Sequence, residues 1–193
     1  LERALGLPSA PRWLRQVHGR EVFDADRAAP ADEAPAADAA RSARRGTVLA
    51  VLTADCLPVL FAATDGSEVA VAHAGWRGLA GGVLEATLAS LRTPPSRLLA
   101  WLGPCIGQPS YEVDEAVRSA FVDGCRQAQA CFADSRPGHW FCDLAGLARQ
   151  RLAAAGVAGV HGGGFDTRTD PRFYSFRRDG ARSGRFASLI WLA

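Results

Sequence analysis

The chain has 193 residues and a formal net charge of +2, a length that suggests one domain or one domain with a small appendage. With 48% hydrophobic and 22% charged residues it can bury a sizeable core, which excludes a disordered chain. All 22 basic residues are arginine, and the sequence also lacks methionine and asparagine. These absences exclude a Schiff-base lysine, a P-loop lysine and an N-glycosylation site.

The near-neutral charge limits the partners and the compartment that we expect. It gives no strong field for nucleic acid or a membrane surface, so neither is predicted as a partner. Asp55 interrupts the best apolar run, and the first residues lack the apolar region of a signal peptide. Five cysteines without a Cys-x-x-Cys pair indicate reduced thiols in a cytoplasmic protein.

The first half of the chain is predicted to consist mainly of strands. Residues 12–23 predict two strands joined by a turn at Gly19, and the Ala/Pro/Asp/Arg-rich residues 28–46 predict a surface loop. Apolar runs predict three buried strands, at residues 47–52, 57–62 and 68–72. A helix follows, because the apolar residues Val83, Leu84, Leu88 and Leu91 share one helical face, and prolines at 94 and 95 end it.

The second half alternates strands and helices. We predict strands at residues 97–102, 157–160 and 186–192, a helix marked by Val113, Val117 and Phe121, and a helix capped by Asp143 and ended by Gly156. Residues 161–164 read as a flexible turn. The pattern indicates an α/β or α+β single domain.

Three residues follow apolar runs and are the first candidate site. His18, Cys56 and His73 would supply two imidazoles and a thiolate, a donor set that leaves a fourth position open, as in catalytic zinc sites. The alternative is a buried structural cysteine with two unrelated turn histidines. Asp55, beside Cys56, could orient a ligand or act as a base, or it could only cap a loop.

Two arginine-bearing segments are candidate anion sites. Gly75 and Arg77 lie where a strand leads into a helix, and backbone N–H groups there, with the Arg77 guanidinium, suit phosphate. An ordinary strand-to-helix turn is the alternative. Residues 168–185 contain six arginines and two aspartates, with Arg177 and Arg178 in tandem, and could hold phosphate or form a solvated hairpin. Cys105, in a Gly-Pro-Cys-Ile-Gly turn, would brace a pocket wall or expose a reactive thiol.

Five segments together resemble one family over nearly the whole chain. They are RQVHG (15–19), LTADCLPVL (52–60), AHAGWRGLAGGVLEATL (72–88), WLGPCIGQPSYEV (101–113) and FYSFRRDG…GRFASLIW (173–191). Their order is that of the YfiH-like laccase-domain family, bacterial proteins once labelled polyphenol oxidases. The resemblance implies an α+β fold over residues 1–193, a single domain with mixed β-sheets packed against helices. It also implies metal-dependent purine nucleoside phosphorylase activity with adenosine deaminase activity.

The resemblance places the family's zinc ligands on His18, Cys56 and His73. The catalytic candidates are then Cys56, His73, Asp55 and Arg77, and the candidates for binding substrate or phosphate are Arg77, Arg177, Arg178 and Gly75, assignments that rest on the anion chemistry above. We expect zinc, or else copper, as the cofactor.

The chain departs from the family pattern at two places. Only seventeen residues precede His18, so we expect the family's N-terminal segment to be missing. Where members often carry Cys-Thr, this chain has Asp166-Thr167.

The leading prediction is therefore a cytoplasmic, monomeric zinc enzyme that acts on a purine nucleoside and phosphate. A copper-dependent phenol oxidase is the first alternative, although four histidines allow at most one copper site. A metal-free hydrolase that uses Cys56 and His73 as nucleophile and base is the second. A non-catalytic metal-binding or nucleotide-binding module is the third.

Overall fold

Eleven strands and six short helices are defined in the computed structural model, which describes residues 2–27 and 33–193. The strands are β1 (Val22–Asp24), β2 (Ala39–Ser42), β3 (Leu49–Thr53), β4 (Leu57–Ala63), β5 (Val69–Ala74), β6 (Leu98–Leu102), β7 (Glu112–Asp114), β8 (Phe132–Asp134), β9 (His139–Cys142), β10 (Gly159–Gly162) and β11 (Phe186–Ile190). The helices are α1 (Glu2–Leu5), α2 (Trp76–Ala80), α3 (Val83–Ser90), α4 (Glu115–Val122), α5 (Leu144–Ala154) and α6 (Phe176–Asp179). Short 3₁₀ turns lie at Pro95–Arg97, Gln108–Ser110, Arg126–Cys131 and Gly180–Arg182.

A six-stranded mixed sheet in the order β1-β2-β5-β4-β6-β10 forms the centre of the fold. The outer pairs β1–β2 and β6–β10 are parallel, and the inner pairs are antiparallel. Antiparallel β11–β3 forms a second sheet, and β7-β9-β8 forms a third. The mixed pairing confirms the predicted α+β class.

Two apolar layers cover the central sheet. On one face, Phe61 of β4 and Leu102 of β6 belong to the same buried cluster as Leu84 of α3 and Leu147 of α5. On the other face, Leu49 and Val51 of β3 pack with Val69 and Val71 of β5. Strands that are buried on both faces read as continuous apolar runs, which explains why the sequence pattern identified β3, β4 and β5.

The predictions for α3 and α5 are confirmed in detail. The Asp143 carboxylate accepts a hydrogen bond from the Gly146 N–H at 2.8 Å and so caps α5. Gly156, just beyond the helix, has φ of +78°, a left-handed conformation that favours glycine. Among the described residues, no helix has the length and apolar character that crossing a membrane requires.

Several predictions for the chain's first third are wrong. Residues 12–18 form no regular strand, because Arg12 and Arg15 make only isolated bridges, to Leu49 and Ala36. The predicted loop at 28–46 contains the fully buried β2, although its residues 28–32 lie outside the described residues. Arg41 of this strand is neutralised by an ion pair with Asp24, so an alanine-rich polar segment can lie inside the sheet.

Two further boundaries differ from the prediction. Val113 belongs to β7 rather than to a helix, and α4 begins after Asp114, which caps it by accepting from the Val117 N–H at 3.2 Å. His161 and Gly162 extend β10 instead of forming a flexible turn. The side chain of Arg149 donates hydrogen bonds to the carbonyls of Val160 and Gly162 and so holds this edge strand.

Candidate functional site

His18, Cys56 and His73 converge at one end of the central sheet. Their ligand atoms all lie within 4.8 Å of one another, and the Cys56 Sγ is 3.8 Å from the His18 Nε2. His73 comes from the end of β5, Cys56 from the turn between β3 and β4, and His18 from the loop before β1. The residues that the sequence analysis grouped together are therefore neighbours in space.

Asp38 connects the two histidines. It is fully buried, and its Oδ1 lies 2.8 Å from the His73 Nδ1 and accepts from the His18 N–H at 2.9 Å. Its Oδ2 accepts from the N–H groups of Gly19 at 2.7 Å and Val17 at 3.1 Å. Because a carboxylate only accepts hydrogen bonds, the His73 Nδ1 carries a proton and its Nε2 is available as a ligand atom.

The electrostatics of this cluster agree with its hydrogen bonds. Burial raises the pKa of Asp38, but the hydrogen bonds from His73, Gly19 and Val17 outweigh burial and lower it. Burial also raises the pKa of the Cys56 thiol, yet the hydrogen bonds and positive charge of His73 and His18 bring it down to about 7. For His73, burial lowers the pKa, and the neighbouring Asp38 and Cys56 override it and raise the pKa to about 9.

These three residues fit one tetrahedral metal ion. Bonds of about 2.3 Å to sulfur and about 2.0–2.1 Å to nitrogen place a thiolate and an imidazole nitrogen roughly 3.6 Å apart. The observed separation of 3.8 Å between the Cys56 and His18 atoms is close to this value. A carboxylate behind a ligating imidazole, as Asp38 is behind His73, is the usual support of a metal-binding histidine.

Glycine at position 75 gives the cluster its room. A Cβ on Gly75 would lie 2.9 Å from both the Cys56 Sγ and the His18 Cδ2, too close for either. A Cβ on Gly78 would meet the Gly19 carbonyl oxygen at 2.8 Å. The Gly-Trp-Arg-Gly segment is thus required for close packing of α2 against the His18 loop.

A cavity of about 540 Å³ opens onto the cluster, within the size range of small-molecule sites. His18, Cys56 and His73 line it, together with Asp55 and Arg177. Its remaining walls are largely apolar or aromatic: Leu14, Leu52, Trp76, Ile106, Tyr111, Leu144 and Phe176. The cavity therefore combines a soft donor set, the cationic side chains of Arg177 and Arg185, and flat apolar surfaces.

The four candidate anion-binding residues have different positions. Arg177 lines the cavity, with its guanidinium 5.3 Å from the centroid of the Tyr111 ring. Arg77 is exposed and lies over the Trp76 ring at 4.6 Å, outside the cavity lining. Gly75 packs behind Cys56, as described above.

Arg178 is held in a structural network. Its guanidinium donates to the carbonyls of Thr167, Arg168 and Phe173 and pairs with Asp179 at 2.9 Å. It is not among the cavity-lining residues. The structure thus brings Arg177 to the site and places Arg178 behind it.

Asp55 links the Cys56 turn to the C-terminal segment. Its Oδ1 accepts from the Thr167 hydroxyl at 2.6 Å, and its Oδ2 accepts from the Arg177 N–H at 2.6 Å. Asp55 itself has φ of +85°, so these contacts hold a left-handed residue beside Cys56. Because both oxygens are engaged, the contacts fit an orienting residue better than a base.

Several site residues were missed by the sequence analysis. Asp38 lies in the segment that was predicted to be a loop, and Tyr111, although it lies in the quoted segment 101–113, was not named as a site residue. Asp166 accepts from the Gly107 N–H at 3.0 Å and from the Ser110 hydroxyl at 2.6 Å, and so fixes the turn that carries Ile106. The spacing of these residues along the chain gave no signal of their contacts.

Cys105 is a bracing residue rather than a reactive thiol. It is buried, and burial together with the nearby Asp143 raises the pKa of its thiol to about 12. Its carbonyl accepts a hydrogen bond from the Thr167 N–H at 3.0 Å. Cys105 thereby joins the turn after β6 to the segment that contacts Asp55.

Comparisons with known proteins identify the family of the chain. All residues, 1–193, match the family model described as multi-copper polyphenol oxidoreductase laccase. A protein of Xylella fastidiosa (strain Temecula1) named purine nucleoside phosphorylase is 56% identical over 199 residues, which cover 100% of this chain and 76% of the relative. Purine nucleoside phosphorylase YfiH of Escherichia coli (strain K12) is 49% identical over 187 residues, covering 96% of this chain and 75% of the relative.

Solved structures share the fold. A Neisseria meningitidis protein superposes with a TM-score of 0.93 at 44% sequence identity and covers 99% of this chain and 77% of its own. YlmD from Geobacillus stearothermophilus superposes with a TM-score of 0.85 at 30% identity, again over 99% of this chain and 77% of its own.

Replacing Asp38 by asparagine tests the support behind the histidines. We expect Asp38→Asn to weaken metal affinity by about 10- to 100-fold, because an amide cannot accept from all the donors that surround the carboxylate. Competition with a chromophoric chelator measures the affinity. The matched control is Glu68→Gln, since Glu68 is also buried and also accepts from two backbone N–H groups, those of Arg92 and Thr93, but lies outside the cluster. Equal metal affinity in the two variants would contradict this role of Asp38.

Adding one methyl group at position 75 tests the close approach. We expect Gly75→Ala to lower metal affinity, because the added Cβ displaces Cys56 or His18. Gly164→Ala is the control, since a Cβ there meets nothing within 4 Å. Metal content after dialysis against a weak chelator gives the comparison, and a Gly75→Ala protein that retains metal as well as the control would refute the steric argument.

Proposed function

Since the chain belongs to the YfiH-like laccase-domain family, we propose that it is a metal-dependent purine nucleoside phosphorylase. One observation carries the proposal: a single cavity joins the His18, Cys56 and His73 donor set to the unpaired guanidinium of Arg177 and to flat apolar walls. Phosphorolysis of a nucleoside requires both an anion site and a surface for a planar base. The names of the relatives support the same activity.

We assign His18, Cys56 and His73 as ligands of the metal. Two imidazoles and one thiolate suit zinc or copper, and zinc is our first choice. When bound, such an ion supplies Lewis-acid polarisation and lowers the pKa of a coordinated water. Through its contact with Nδ1, Asp38 fixes one proton of His73 on that nitrogen, so Nε2 is the nitrogen that would bind the metal, in place of a second proton.

In the proposed reaction an oxygen of inorganic phosphate attacks C1′ of the ribose as the bond from C1′ to the purine nitrogen breaks. The products are ribose 1-phosphate and the free base, which gains the proton that phosphate loses. Arg177 binds the phosphate oxygens, and Tyr111 and Trp76 border the nucleoside. Holding the two reactants in one cavity converts a bimolecular step into an effectively intramolecular one.

The other candidate residues keep narrower roles in this proposal. Cys56 and His73 act as ligands at the reacting centre, and Asp55 orients the Cys56 turn and the Arg177 N–H. Arg77 on α2 and Gly75 directly before this helix remain phosphate candidates, and Gly75 also gives room to the metal ligands. Arg178 supports the segment that carries Arg177. A cytoplasmic monomer remains our expectation.

Adenosine deamination is a second activity that we assign to the same cavity. In that reaction water replaces the amino group at C6 of the purine, and inosine and ammonia are the products. Deamination needs an activated water and no phosphate. Phosphorolysis and deamination can therefore be distinguished by measuring each product with and without phosphate. An ion held by His18, Cys56 and His73 would supply such an activated water, and this donor set favours the second activity.

A phenol oxidase with several coppers fits the residues less well. Within residues 2–27 and 33–193, His18, Cys56 and His73 are the one group of three or more candidate ligands. The two other histidines, His139 and His161, lie on β9 and β10. One ion can be held by these ligands, whereas laccase chemistry needs several coppers together.

A thiol hydrolase is the remaining alternative, and one observation favours it. Asp38, His73 and Cys56 form a carboxylate–imidazole–thiol series, the arrangement that activates a nucleophilic cysteine. A metal ion bound to Cys56 would occupy that nucleophile. The hydrolase therefore requires metal-free protein, and acylation of Cys56 in chelated protein distinguishes it from the phosphorylase.

The phosphorylase is tested with zinc-loaded protein, adenosine and inorganic phosphate. We expect adenine and ribose 1-phosphate in equal amounts, with no adenine when phosphate is omitted. His18→Ala and Cys56→Ser should reduce the rate by more than the roughly 10- to 100-fold that is typical of residues behind the ligands. Cys125→Ser is the control, because Cys125 is exposed and does not line the cavity.

Chromatographic separation of bases and nucleosides gives the readout. Formation of inosine without phosphate would show the deaminase activity. Metal-loaded protein that forms neither adenine nor inosine would contradict the proposed function.

A further inference from the structure

Two arginines of the 168–185 segment line the cavity, and one of them, Arg185, has no role so far. Arg177 and Arg185 both belong to the lining, as does Phe176. The guanidinium of Arg172 is instead paired with Asp170, and that of Arg178 with Asp179. The positive charge of this segment therefore reaches the cavity through Arg177 and Arg185.

Both guanidinium groups are anchored by backbone carbonyls at one nitrogen. The Arg185 Nη1 donates to the carbonyls of Ser183 at 3.0 Å and Gly184 at 2.8 Å. The Arg177 Nη1 donates to the carbonyl of Glu112 at 3.1 Å. In the described part of the chain, no carboxylate lies within 4.0 Å of either group. Each side chain is thus fixed in place while its charge and its Nη2 group remain unpaired.

Aromatic rings of the same cavity support both groups. The Arg177 guanidinium lies 5.3 Å from the Tyr111 centroid, and the Arg185 guanidinium lies 5.8 Å from the Phe176 centroid. Cation–π contact restrains a guanidinium without neutralising it. Two restrained and uncompensated cations beside one cavity make a site for an anion with several oxygens.

We propose that Arg185 binds inorganic phosphate together with Arg177, so that the two guanidinium groups hold the phosphate of the reaction between them. This inference rests on the proposed function, because it takes the anion to be the attacking phosphate. Ribose 1-phosphate, the product, carries the same group and would use the same two residues. A nucleoside monophosphate carries a phosphate group with similar chemistry. The test must therefore distinguish its binding from that of inorganic phosphate.

Arg185→Gln tests the proposal directly, since glutamine keeps a polar side chain and removes the charge. Removing charge-assisted hydrogen bonds should raise the KM for phosphate by about 10- to 100-fold. We expect the KM for the nucleoside and the metal content to stay unchanged. Arg182→Gln is the matched control, because Arg182 lies in the adjacent 3₁₀ turn and does not line the cavity. Arg185→Lys keeps the charge and should recover part of the phosphate affinity.

Equilibrium dialysis with radiolabelled inorganic phosphate measures binding without turnover. Loss of phosphate binding in Arg185→Gln, with unchanged binding in Arg182→Gln, supports the proposal. This holds even if the native protein releases no base from a nucleoside, and in that case only the proposed function fails. Arg185→Gln protein that binds phosphate as the native protein does overturns the proposal, whatever its turnover. A nucleoside monophosphate that loses its binding in Arg185→Gln, while inorganic phosphate still binds there as in the native protein, would assign Arg185 to a nucleotide and would also overturn the proposal.

Discussion

The buried carboxylate of Asp38 is the group on which the site depends. A buried charge is tolerated only where hydrogen bonds replace the lost water, and Asp38 receives four, from three consecutive backbone N–H groups and from the His73 imidazole. The same bonds fix the loop that carries His18 and the protonated nitrogen of His73. One side chain therefore determines where two of the three candidate ligands point.

Strain and close packing at the site follow from this arrangement. Among the described residues, His18 and Asp55 are the non-glycine residues with positive φ, at +59° and +85°. Such conformations cost about 1–3 kcal/mol each and persist where surrounding contacts impose them. Asp38 imposes the first, and contacts from Thr167 and Arg177 impose the second. His18 is itself a candidate ligand and Asp55 precedes Cys56, so the strain lies at the residues that position the donor atoms.

Much of the fold could be predicted from the sequence, because it depends on local patterns. Apolar runs identified β3, β4 and β5, and the ends of such runs suggested His18, Cys56 and His73 as a donor set. The resemblance to the family, not the spacing, selected that set over a structural cysteine with two unrelated histidines. The supporting groups could not be predicted in this way. Asp38 lies in an alanine-rich segment whose burial depends on pairing with β1 and β5. Arg178 was predicted to bind phosphate, but its guanidinium is paired with Asp179, whereas Arg185 lines the cavity. Only tertiary contacts decide which guanidinium is already paired.

X-ray absorption spectroscopy of the metal-loaded protein tests the central claim, that Asp38 positions His18 and His73 so that they bind one ion together with Cys56. We expect one zinc per chain, with one sulfur neighbour at about 2.3 Å and two imidazole nitrogens at about 2.0–2.1 Å. In the Asp38→Asn protein the imidazole contribution should fall while the sulfur distance persists. A native spectrum without a sulfur neighbour, or an unchanged imidazole contribution in Asp38→Asn, would contradict this account of the site.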